Sequence, residues 1–318
     1  MFINLASTPG RQLVNSQTAA ILERKLKFFQ TIPLMKENSR RNKVIIYILK
    51  ATLFCIIFTG LFIILSFPKS SLPDKFERIA HGTIGTVAAI LTTFLFVKFD
   101  KKTFADIGFV FEKTSLTKFF SGVLLGITVM GILTLSVIFF SYFKIETNSN
   151  SNILNFLLWT LPLIPLAFME EVGFRAYPLR ILKDKVGLRN SIIITSLLFA
   201  LYHVVNGWTL QNSFLGAGVW GIIFGLTAIY SNGISMPTGL HYATNLTTSA
   251  FGISEGSFNL WVLKSKDGLT LENYHSSQLT TLIPQISLLV FALICMEWYV
   301  RKKTNANTGI ANSGTRRI

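Results

Sequence analysis

Seventeen consecutive uncharged residues, 153–169, lead straight into two adjacent carboxylates, Glu170 and Glu171, with Arg175 four positions beyond the second. A helix needs about 20 apolar residues to cross a bilayer, so this run is nearly a complete span. A charge within hydrocarbon costs at least roughly 2.5–3.5 kcal/mol. Two glutamates at such depth therefore point to chemistry or to ion movement inside a membrane. Hydrocarbon also dictates the backbone. No water is present there to satisfy N–H and C=O groups, so only helices or closed barrels span it.

The apolar residues come in long runs rather than in alternation, which selects helices. The chain is 50% hydrophobic and 14% charged, whereas a soluble domain carries about 25% charged residues. The expected fold is all-α, a polytopic membrane protein whose helices enclose an intramembrane cavity. Eight apolar segments are expected, at 44–67, 79–97, 119–143, 153–182, 190–206, 214–230, 237–251 and 279–300. The fifth to seventh are short for a full crossing.

Net charge is +15. Basic residues gather before the first segment, in the second loop, in the fourth turn (Lys183, Lys185, Arg189) and after the last segment (Arg301, Lys302, Lys303). The odd-numbered loops are poorer in them. The positive-inside rule then puts both termini in the cytosol of a multi-pass protein of the cell membrane. No basic patch interleaved with aromatics suggests nucleic acid as a partner. Cys55 and Cys295 sit in apolar runs, without a CxxC pattern or a disulfide framework. The expected organisation is a basic cytosolic segment at 1–43, a membrane domain at 44–303 with its catalytic block at about 150–250, and a basic tail at 304–318. The loop 252–278 is the one sizeable external segment.

The fourth and fifth segments read as a hairpin turning at Gly187, a helix stop. Glu170 lies thirteen residues before Lys183, and His203 thirteen after Asn190. At 1.5 Å per residue both lie about 20 Å from the turn, at one depth. On the seventh segment His241 and Asn245, at i,i+4, face the same way. The short sixth turn sets His241 nearer the cytosol than His203.

This set suits hydrolysis. A carboxylate can act as general base toward water, and a histidine beside it can orient that water. A second histidine and an amide can donate to a developing oxyanion. No serine or cysteine of the set stands beside a base, which argues against a covalent nucleophile. No cofactor is expected. Zinc is the lesser alternative, because no HExxH-like spacing supplies three ligands.

Three motifs follow one another on successive apolar segments: Glu170-Glu171-x-x-x-Arg175, Phe199-x-x-x-His203 and His241-x-x-x-Asn245. In this order they resemble the signature of the CPBP family of intramembrane proteases, which includes CAAX prenyl endopeptidases and bacteriocin-processing (Abi) members. The resemblance covers about residues 150–250. It implies that Glu170 activates water with His203, and that His241 and Asn245 form the oxyanion hole. It implies that Glu171 and Arg175 support the site; Phe199, read on its own, is a packing residue that supports it. It also implies a peptide or lipidated protein as substrate, met among membrane lipids. Oligomeric state is not legible.

Plainer readings stand beside these. Glu171 and Arg175 at i,i+4 also make a neutralising ion pair. A single intramembrane histidine often serves only packing. His81 and His275 are isolated. Gly221-x-x-x-Gly225 reads as a close helix-packing face, and Pro178 as a kink beyond the glutamates. A proton- or ion-coupled transporter would usually show two related halves with matching broken helices, and none are visible. A non-catalytic scaffold or immunity protein of the same fold would have no need of every signature residue.

Overall fold

The computed structural model describes residues 42–141, 143–149, 151–253, 259–264 and 278–314. Nearly all of the basic segment 1–43, most of the loop 252–278 with His275, and residues 315–318 lie outside the described residues. The chain divides into two units, Met1–Ile48 and Leu49–Ile318. The first is helical over its described residues, 42–48. Apart from the first residues of α1, the second holds the features that follow.

Helix dominates. α1 (Asn42–Lys69) ends in a 3-10 turn and is followed by α2 (Asp74–Phe99) and α3 (Ser115–Ser141). Then come α4 (Ile153–Thr160), α5 (Leu163–Glu171), a π-turn (Val172–Ala176) and α6 (Tyr177–Val186). α7 (Leu188–Val205), a second π-turn (Asn212–Gly218), α8 (Val219–Tyr230), α9 (Ser235–Ala250) and α10 (Gln278–Gly314) complete the order. A short antiparallel ribbon pairs β1 (Lys144–Thr147) with β2 (Trp261–Lys264), Lys144 opposite Lys264.

Among the described residues seven helices are long and apolar enough to cross a membrane. The protein is thus an all-α polytopic membrane protein. The seven match seven of the eight apolar segments read from the sequence. The remaining segment is α9, whose 16 residues fall short of a full crossing.

The 153–186 span is interrupted at two of its prolines, Pro162 and Pro178. Pro162 has no N–H to continue the ladder, and α5 restarts behind it. Pro178 likewise cannot bond the carbonyl four residues back. The backbone opens into the π-turn just ahead of it, directly after Glu171. The irregularity is therefore a widened turn beside the glutamates rather than a kink beyond them. Gly187 then takes φ +83°, which only glycine adopts without strain, and reverses the chain into α7.

α3 and α9 make the closest backbone approach. A Cβ on Gly126 would come within 2.7 Å of the Ala243 methyl. On Gly122 it would run into the Met236 carbonyl, and on Gly239 into that of Phe119. Lipid gives helices little hydrophobic reason to associate, so such small-residue seams supply the contact by van der Waals packing. The Gly221 and Gly225 pair on α8 lies 3.1–3.3 Å, in the same sense, from Ser196 and Ile192 of α7. That is the packing face expected from its spacing.

Candidate active site

Glu171 and Arg175 are fully enclosed, and Glu170, His203 and His241 are buried. The tightest contact is His241 Nδ1 to Glu171 Oε1, at 2.8 Å. His241 Nε2 lies 3.5 Å from Glu170 Oε2, so one imidazole stands between both carboxylates. Arg175 Nη1 lies 3.4 Å from the same Glu171 oxygen. Its guanidinium is roofed by aromatic faces: Phe199 at 4.1 Å, Phe224 at 5.3 Å and Phe174 at 5.8 Å. Ring faces carry partial negative charge and hold a desolvated cation where water does not. Phe224 also stacks on His241, with centroids 4.4 Å apart and planes 17° from parallel.

His241 was expected nearer one face than His203, yet it meets the glutamates. Arg180 supplies the reason. It reaches from α6 to the turn between α8 and α9, donating to Asn232 Oδ1 at 2.8 Å and to the Ala228 carbonyl at 3.1 Å. That turn is thus held at the level of Arg180, with Gly233 and Ile234 buried. Glu171 lies nine residues back from Arg180, and His241 nine residues on from Asn232. The tie sets the start of α9 against α6, and from there His241 reaches Glu171.

His203 uses Nδ1 on the Phe199 carbonyl, 2.9 Å away, which leaves its Nε2 edge free of that bond. It lies within electrostatic reach of Glu170, though no hydrogen bond joins the two among the described residues. α7 ends just beyond it in a Schellman cap. Trp208 N–H donates to the His203 carbonyl at 3.0 Å, and Gly207 N–H to that of Val204 at 3.0 Å, with Gly207 at φ +90°. This cap folds the Trp208 ring onto the imidazole edge, 4.5 Å between centroids. Phe199 meets the same imidazole at 4.6 Å. Asn245 stands one turn along α9 from His241 and is half-buried. Its side chain makes no hydrogen bond among the described residues.

The structure therefore gathers Glu170, Glu171, Arg175, Phe199 and His241, sets His203 beside them, and leaves Asn245 a turn away. Sequence reading missed Trp208, Phe224 and the tie from Arg180 to Asn232. A glycine stop followed by a large apolar residue, Gly207-Trp208, was a usable signal for the first. Phe224 carried none. Among the described residues no group of three His, Cys, Asp or Glu side chains is placed to hold a metal ion.

Seven helices long and apolar enough to cross a membrane define an integral membrane protein, and the acid–base cluster is buried among them. Residues 150–247 match the family model described as Type II CAAX prenyl endopeptidase Rce1-like. The match bears out the resemblance read from the three motifs and contains every residue named for the site. At the level of the family it supports a CAAX-type intramembrane protease, acting on a protein substrate in a membrane. A search of curated proteins found no match.

Proposed function

We propose that this protein is an intramembrane endopeptidase that hydrolyses a peptide bond with water activated by Glu170. The carrying observation is the imidazole of His241 set between two buried glutamates, 2.8 Å from one and 3.5 Å from the other. Such a pair divides the labour. Glu171 is engaged by Arg175 and by His241 Nδ1, so it positions. Glu170 keeps its carboxylate for a substrate water. It takes the proton as hydroxide adds to the scissile carbonyl, and returns it to the leaving amine. His203 orients the water through the nitrogen that Phe199 does not occupy. His241, through Nε2–H, and the Asn245 amide donate to the oxyanion. We read the reaction as metal-free, because no HExxH-like spacing supplies three ligands. With α9 read as a short eighth crossing, both termini lie on one side of the membrane, which the basic loops make the cytosol of the cell membrane. The substrate is a peptide or a lipidated protein.

Glu170→Gln tests the base. Cleavage should fall by about 10²–10⁴-fold, the usual contribution of a positioned base, while membrane insertion and melting temperature are kept. Processing at the wild-type rate would remove Glu170 from this role. A strong chelator should leave the purified enzyme active, and zinc-specific recovery of a lost activity would refute the metal-free route. A reporter fused after Lys303 should score cytosolic.

A further inference from the structure

Away from the glutamates, a cavity of about 240 Å³ opens between the α6–α7 turn and α10, lined by Lys183, Leu188, Val300, Lys303 and Thr304. We propose that it is a binding site for the phosphate group of an anionic phospholipid. Two lysines reach it from different helices, and neither has an acidic partner within ion-pair distance among the described residues. The local charge is lopsided. Residues 183–189 and 297–303 together hold Lys183, Lys185, Arg189, Arg301, Lys302 and Lys303, against Asp184 and Glu297. Glu297 is already shared between Arg189 at 2.7 Å and Arg301 at 2.8 Å. That bridge fixes α10 against the start of α7 and leaves Lys183 and Lys303, the two that line the cavity, to an outside anion.

Two features favour a lipid over a free ion. Leu188 and Val300 give the cavity apolar walls suited to the glycerol and upper acyl region. Trp298 is 62% exposed and carries Lys302 over its ring at 5.0 Å. Exposed tryptophan with snorkelling lysine marks the headgroup level of a bilayer. Basic pockets between helices at that level suit anionic headgroups. α7 begins at Leu188 without a side-chain cap, and its dipole adds to the attraction. The assignment does not depend on the peptidase reading.

The test is native mass spectrometry of the full chain in detergent, titrated with phosphatidylglycerol or phosphatidylcholine. Phosphatidylglycerol should be retained on the order of 10-fold better, and the Lys183→Gln/Lys303→Gln variant should lose that preference. The single variants should fall between, and the lipid-free melting temperature should be unchanged. Equal retention of the two lipids, or an undiminished preference in the double variant, overturns the site. Inorganic phosphate at the same concentration should not displace the lipid, and displacement would overturn the lipid assignment.

Discussion

Two carboxylate clusters in this protein contrast sharply. At the end of α2, Asp100 accepts from Lys50 of α1 and, at 2.7 Å, from the hydroxyl of the enclosed Tyr177. Three helices meet there, and every polar group finds a partner. At the level of Glu170 and Glu171 the accounting stays open. Glu171 Oε2 and the Nε, Nη1 and Nη2 of Arg175 are buried without a hydrogen bond among the described residues. A structural tie uses up its hydrogen-bonding capacity, whereas a working site keeps some in reserve. The first cluster holds helices together; the second holds charge ready.

That contrast can be broken by mutation. The largest effect is expected for Glu170→Gln: activity lost, fold kept. A variant that instead fails to fold would make Glu170 one more structural tie. Glu171→Ala strands the Arg175 charge in an apolar enclosure and should cost about 3–5 kcal/mol of stability. Unfolding in detergent measures it, and Glu171→Ala/Arg175→Met should recover most of the loss. No recovery would mean that the aromatic roof, rather than Glu171, neutralises the arginine.

Asp100→Asn should cost less, about 1–3 kcal/mol, with activity per folded molecule unchanged. Its pH dependence is specific. Burial pushes the Asp100 carboxyl up, but hydrogen bonds from Lys50 and Tyr177 and the charges of Lys50 and Lys102 outweigh it and hold the pKa below the usual range. A depressed carboxylate stabilises above its unfolded pKa of about 3.9 and loses that contribution as pH falls through the lower folded value. The gap between wild type and Asp100→Asn should therefore be full at neutral pH and close in acid. A gap that persists in strong acid would remove the charge from the explanation. Smallest is Trp208→Ala. Loss of the ring on His203 should lower kcat/KM several-fold, matching about 0.5–1.5 kcal/mol for an aromatic pair.

Much of this was legible. Charge-free length alone located the helices, because hydrocarbon leaves the backbone few options. It was weakest at α9, and the reason is instructive. His241, Asn245 and several threonines dilute the apolar character of that segment, so the helix that carries two of the site residues looks least like a span. The hairpin count correctly set Glu170 and His203 on neighbouring helices. It did not foresee that His241 meets Glu171, because the tie from Arg180 to the α8–α9 turn leaves no trace in periodicity. The Gly122 and Gly126 seam was equally silent. Small residues show where helices can touch, but only a partner such as Gly239 shows which helices do.

The π-turn at 172–176 has a consequence for length. A wide turn holds one residue more than an α-turn over the same rise. Removing a residue there takes up the surplus and leaves Glu171 and Arg180 aimed nearly as before, with Pro178 still lacking its backbone bond. Removing one from α5 instead swings everything above or below by about 100°, one helical step. The segment next to the glutamates is thus where this protein can absorb a change in chain length, like a slack link in an otherwise tight chain.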